Sequence, residues 1–116
     1  MISDADYRRL VLALPEAFEA AHMGHPDFRV GGKIFATLWP AKRQGVAMLT
    51  PEQQEMMISV RPNVFTPASG AWGRRGSTMI ALDEVVEEDL CVALRMAWHN
   101  KAPKQLVALF DAQSDD

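Results

Sequence analysis

Two clusters of side chains have the types that bind or react. The first is Trp72-Gly73-Arg74-Arg75-Gly76. Adjacent guanidiniums framed by glycines can meet a phosphate or carboxylate in a bidentate fork, on a backbone able to approach a ligand closely. Trp72 beside them offers an indole face for stacking on a base or covering an apolar patch. The structural alternative is equally concrete: Trp72 docks on a sheet, one arginine pairs with a local acid, and the glycines serve backbone angles. The second cluster is His22 and His25. Across a turn, two imidazoles at this spacing can lie on one side, where they could shuttle protons or ligate a metal. A metal site needs a third and usually a fourth ligand, and Asp27 is the nearby carboxylate after His25. Structural or ligand-contacting histidines are therefore expected, and no metal.

Further cations line the turns. Arg29 and Lys33 flank Gly31-Gly32, and Lys42-Arg43 mark the next turn. With Arg74 and Arg75 they could form one basic edge made of loops, as hairpin tips contacting phosphates would need. The alternative is a set of unrelated solvated charges. No Ser/His/Asp order, paired-carboxylate site or cysteine-rich cluster stands out. No catalytic residue and no cofactor is assigned, and the chain is not expected to be an enzyme. Met48, Met56, Met57, Met79 and Met96 are expected to fill core gaps. Cys91 is expected to be an inert core thiol, and Trp98-His99 to combine core packing with a favourable charge near a helix C-terminus.

Composition bounds the rest. The 116 residues are enough for one domain with one core. No run approaches the ~20 apolar residues of a membrane span. Met1-Ile2-Ser3-Asp4-Ala5-Asp6 lacks the basic and apolar regions of a signal peptide. The single cysteine excludes an intrachain disulfide and points to a reduced, cytoplasmic setting. A net charge of −3 is the wrong sign for a protein committed to duplex DNA. DNA binding would have to come from a local patch, opposed by the tail Asp111 to Asp116, itself expected to be a frayed, solvated terminus.

The elements that position these groups follow from spacing. Ser3 reads as the N-cap of a helix to Leu14, with Tyr7, Leu10, Val11 and Leu14 on one face and Pro15 as its stop. A short strand is expected over Glu19 to His22. Phe28-Arg29-Val30 and Lys33 to Leu38 flank Gly31-Gly32, a two-residue loop able to take the positive φ of primed hairpin turns. A phosphate-cradling role for these glycines would need a helix to follow, and a strand follows instead. Val46 to Leu49 reads as a strand after the polar turn Pro40 to Gly45. Thr50, Pro51 and Gln53 form a capping signature for a helix to about Val60 that buries Met56, Met57 and Val60. Asn63 to Gly76 reads as a loop, and Ser77 to Leu82 as a strand. A long helix from about Glu87 carries Leu90, Cys91, Leu94, Ala97 and Trp98 on one face. Pro103 opens a last helix burying Leu106, Leu109 and Phe110. Each element has one apolar side, so the natural closure is α+β: a two-layer, hairpin-rich antiparallel sheet with helices on one face.

Several segments in this order carry a resemblance to a known family. They are His22-x-Gly24-His25-Pro26-x-Phe28-Arg29-Val30-Gly31-Gly32-Lys33-Ile34-Phe35-Ala36, Gly70-x-Trp72-Gly73-Arg74-Arg75-Gly76, and Ala97-Trp98 followed by Ala102-Pro103-Lys104. On these residues the chain resembles the MmcQ/YjbR family of small bacterial proteins over nearly its whole length. The resemblance implies a two-layer α+β fold like that of secretion chaperones. It also implies the label DNA-binding, which comes from similarity to a double-wing transcription-factor domain and is a fold analogy. The family carries no agreed catalytic residues, so none is transferred. Met23 departs from the pattern, standing where an aromatic is common.

Three functions are therefore ranked in order. The first is a non-enzymatic cytoplasmic domain contacting DNA through Arg74, Arg75 and the hairpin tips with Arg29 and Lys33. The second binds another protein or a small anionic ligand on a surface of Trp72, Phe28 and His25, with His22 beside it. An enzyme acting on a small anionic substrate comes third. No membrane partner is expected, and a monomer is the default.

Overall fold

The computed structural model describes residues 1–22 and 24–113, with the backbone alone at His22. Met23 and the end of the acidic tail, residues 114–116, lie outside the described residues. Helix α1 (Asp4–Leu12) begins with a complete capping box. The Ser3 hydroxyl accepts from the Asp6 N–H at 3.0 Å, and the Asp6 carboxylate accepts from the Ser3 N–H at 3.2 Å. The same bonds hold the Asp6 carboxyl below its usual pKa. Two residues before the expected end the helix stops, and the chain turns through Glu16 at φ 57°.

Six strands follow: β1 (Phe18–His22), β2 (His25–Val30), β3 (Lys33–Trp39), β4 (Gln44–Met48), β5 (Phe65–Pro67) and β6 (Ser77–Ala81). They form one sheet in the order β1-β2-β3-β4-β6-β5, antiparallel at every pairing. Helices α2 (Pro51–Val60), α3 (Gly70–Arg74), α4 (Glu87–Lys101) and α5 (Lys104–Gln113) complete the α+β fold expected from the sequence. At Asn63 to Gly76 the structure differs from the expected loop, because β5 and α3 both lie there. Elements of three and five residues are too short to show a hydrophobic period.

Strand pairing sorts the side chains into two faces. The row Phe28, Ala36, Ala47 and Thr78 faces the helices, and all four are fully buried. Tyr7 and Val11 of α1, Met57 of α2, and Leu90, Leu94 and Trp98 of α4 close over it in one cluster. The neighbouring row Asp27, Thr37, Val46, Met79 and Thr66 points the other way. Met56 and Val60 of α2 and Leu109 of α5, expected in the core, are 48%, 52% and 62% exposed. Helix α2 lies against the short strand β5 and β6 and buries Met57 alone among its residues. Helix α5 is seated on the rim, with no fully buried residue.

Gly31 and Gly32 take φ 58° and 79°, the double positive φ expected of a primed turn. A Cβ on Gly31 would lie 2.8 Å from the Pro103 ring. The hairpin tip is thus docked on the junction of α4 and α5.

Tyr7, the one tyrosine of the chain, is fully buried and donates its hydroxyl hydrogen bond to the Thr37 carbonyl at 2.9 Å. Its ring occupies the space a side chain on Gly45 would fill, 2.5 Å from an added Cβ. Burial raises the phenol pKa well above its ordinary value. A raised folded-state pKa stabilises the fold fully below the unfolded value of about 10 and progressively less above it. We expect stability to fall above pH ~10 by as much as ~1.4 kcal/mol per pH unit from this group, and Tyr7→Phe to remove that component. Urea unfolding at a series of alkaline pH values checks this. Equal slopes in the two proteins would exclude it.

Candidate binding cleft

The face of the sheet turned away from α1 and α4 carries a cleft of about 480 Å³. Its floor comes from β2 and β3: His25 and Asp27 on one, Ile34, Thr37 and Trp39 on the other. Met48 of β4 and Trp72 of α3 complete it. A second lobe of about 190 Å³ shares Trp39 and Trp72 and continues over Val46 and Met79 to Lys42, Gln44 and Ser69.

Register builds this floor. Asp27 pairs with Thr37, and continuing the ladder by two residues sets His25 opposite Trp39. Their rings lie 3.6 Å apart between centroids, tilted by 34°. The Trp39 indole N–H donates to the Thr37 hydroxyl at 3.0 Å, which fixes the ring. Asp27 is 2% exposed, and its carboxylate accepts from Arg29 Nε at 2.9 Å and from an Arg29 terminal nitrogen at 3.1 Å. This pairing raises the Arg29 pKa and neutralises the carboxylate of the first lobe. Apart from Thr37, whose hydroxyl is engaged by Trp39, the remaining lining there is aromatic and aliphatic, so the lobe suits an apolar body.

Trp72 stands 53% exposed over the cleft because α3 is held rigidly from beneath. Gly73 is buried, and a Cβ there would meet the Ala68 carbonyl oxygen at 1.8 Å. Gly76 has φ 116°, and its added Cβ would meet the Leu49 carbonyl oxygen at 2.0 Å. The Gln54 side-chain amide donates to the carbonyls of Gly73 and Ser77, both at 3.0 Å. The glycines around the arginine pair therefore serve packing, while Trp72, Arg74 and Arg75 are left facing solvent.

The structure brings His25 and Trp72 to one cleft and separates the other candidates. Phe28 does not share this surface: it is fully buried, its ring centroid 5.8 Å from that of Tyr7. His25 and Phe28 are an odd number of residues apart in one strand, which sends their side chains to opposite faces. The His22 backbone pairs with His25, and its side chain lies outside the described residues. Arg29 is paired with Asp27. Lys33 is exposed beside the docked hairpin tip. Arg74 and Arg75 are exposed, with no ion-pair partner among the described residues. Arg43 is bonded to Asp4 at 3.2 Å, to Asp83 at 3.1 Å and to the Ile2 carbonyl. Two of the six cations expected on one edge are thus taken up by carboxylates.

Sequence reasoning missed Trp39, Ile34 and Met48. Strand alternation was their only signal, and it needed the register. Cys91, expected in the core, is half-buried at the rim, in a separate depression with Leu10, Leu14 and Phe110. Burial, with Glu87 nearby, raises its thiol pKa, the wrong direction for a nucleophile. Among the described residues no three His, Cys, Asp or Glu side chains gather as metal ligands would, and no helix is long and apolar enough to cross a membrane.

A family model described as YjbR matches residues 12–100. The crystal structure of protein DR2400 of Deinococcus radiodurans, which carries a DUF419 domain, superposes with a TM-score of 0.74 at 20% sequence identity. The alignment covers 86% of this chain and 78% of that one. No curated protein matches the chain.

Proposed function

The chain belongs to the YjbR family, and on that premise we propose that it is a non-enzymatic binding domain whose cleft between Trp39 and Trp72 takes a small, flat, largely apolar ligand. The observation that carries this reading is the stacked His25–Trp39 floor of a 480 Å³ cleft with a half-exposed tryptophan over it. Concave apolar sites with a few placed polar groups are where small ligands are held. A single cysteine suits a reducing, cytoplasmic setting for this role.

The chain has three tryptophans, and each gives one indole N–H signal in an NMR spectrum. Titration with 2-naphthylmethanol, a neutral fused aromatic, is expected to shift the Trp39 and Trp72 signals saturably. The signal of Trp98, which is fully buried and bonded to the Pro15 carbonyl, should stay still. Trp72→Ala is expected to weaken binding at least ~10-fold, the loss of about 1.4 kcal/mol of stacking, while the melting temperature barely changes. Trp39 and Trp72 signals unmoved by this alcohol and by its carboxylate counterpart, 2-naphthoate, would exclude the reading.

One observation supports a second reading, DNA contact: Arg74 and Arg75 are adjacent, exposed and without an acidic partner among the described residues. On this reading, labelled single-stranded or duplex DNA binds at low salt, where electrostatics are strongest. Binding weakens with salt and is lost in the Arg74→Ala/Arg75→Ala double variant at an unchanged melting temperature. Fluorescence anisotropy decides. No binding at low salt removes this reading.

A further inference from the structure

We propose that the ligand of this cleft is an aromatic anion, its ring held in the first lobe and its negative group directed to Lys42 in the second. The proposal rests on the small-ligand reading above and specifies its chemistry. The two lobes share the Trp39 and Trp72 walls but differ in what faces the ligand. In the first, the one carboxylate is buried and already neutralised by two hydrogen bonds from Arg29. In the second, Lys42, Gln44 and Ser69 supply an ammonium, a side-chain amide and a hydroxyl, and no carboxylate among the described residues lines it.

Lys42 and Arg43 differ in what they meet. They are neighbours on one turn, a 3₁₀ segment over Pro40–Lys42 followed by Arg43 at φ 52°. Arg43 turns inward and ties Asp4, Asp83 and the Ile2 carbonyl together. Lys42 turns the other way. Its Nζ lies 5.5 Å from the centroid of the Trp39 ring, with no ion-pair partner among the described residues. An ammonium on the face of an aromatic wall, beside two neutral donors, is placed to receive a negative group attached to a ring held in the adjoining first lobe.

The test compares 2-naphthoate with 2-naphthylmethanol, which share a ring system and differ in charge, by the same NMR titration. The carboxylate is expected to bind about tenfold more tightly or better, the effect of one charge-assisted hydrogen bond. Added salt should narrow the gap. Lys42→Met, which keeps most of the apolar stem, should abolish the preference, the affinity for the carboxylate falling to that for the alcohol. Equal affinities in the wild-type protein, or a preference that survives Lys42→Met, would overturn the proposal while leaving the small-ligand reading standing. If neither compound binds, both fall together.

Discussion

Gly76→Ala is expected to cost about 3 kcal/mol or more, a large share of the ~5–15 kcal/mol that keeps a domain folded. Two independent effects add at this position. Its φ of 116° lies where a side chain is strained whatever space surrounds it. The space is also closed, because the added Cβ would sit 2.0 Å from the Leu49 carbonyl oxygen, a backbone atom that cannot swing aside. That carbonyl belongs to the segment joining β4 to α2, so relief would have to move the start of a capped helix. Urea denaturation measures the loss. The contrast with the arginine double variant, at the two preceding residues and expected to be neutral for stability, separates the motif into a structural framework and the groups it displays. A Gly76→Ala protein within 1 kcal/mol of wild type would mean that this turn relaxes freely and that Trp72 is not held as described.

Trp98→Ala is expected to cost about 3–5 kcal/mol, and to release α5 before the rest unfolds. Trp98 is the largest fully buried side chain, and its indole N–H donates to the Pro15 carbonyl at 2.9 Å, tying α4 to the segment after α1. Phe110 of α5 rests on its ring with centroids 4.8 Å apart. Since α5 fully buries no residue of its own, this contact is a large share of its seat. Hydrogen exchange should show α5 amides losing protection first, with the sheet following only at higher denaturant. Trp98→Phe, which restores a ring but not the N–H, should recover most of the stability and the protection of α5. Simultaneous loss of protection in α5 and the sheet would show that the helix is not a separable unit.

Much of the architecture was legible because the signals were local. Ser3, and Thr50 with Pro51 and Gln53, place two helix starts to the residue, since a cap is a hydrogen bond made within the first turn. The Gly31-Gly32 turn was readable because few residues but glycine accept both positive φ angles. Less was legible where depth depends on what packs above. Met56 and Val60 have the side chains of core residues, yet α2 meets only a short edge of the sheet. The β5 and α3 segments were hidden because so few residues cannot display a period.

The site divides along the same line. The residue types and motifs alone determined that the chain would close as an antiparallel sheet under helices and that the family was YjbR, while His25 and Trp72 stood undistinguished among eight candidates with His22, Phe28, Arg29, Lys33, Arg74 and Arg75. What only the tertiary structure decided was the partner of His25. Counted from the turn, Val30 faces Lys33 and Arg29 faces Ile34, and simple alternation onward would send Leu38 to the open face and Trp39 into the core. A bulge shifts the register so that Phe28 faces Ala36, and Phe35 and Ala36 are both buried on the helix side. One extra residue exchanges the two faces for the rest of the strand, which buries Leu38 and lays Trp39 under His25. Local sequence cannot specify that slip, because what stabilises it is the fit of Phe35, Ala36 and Leu38 beneath α1 and α4, contacts made by residues far away in the chain.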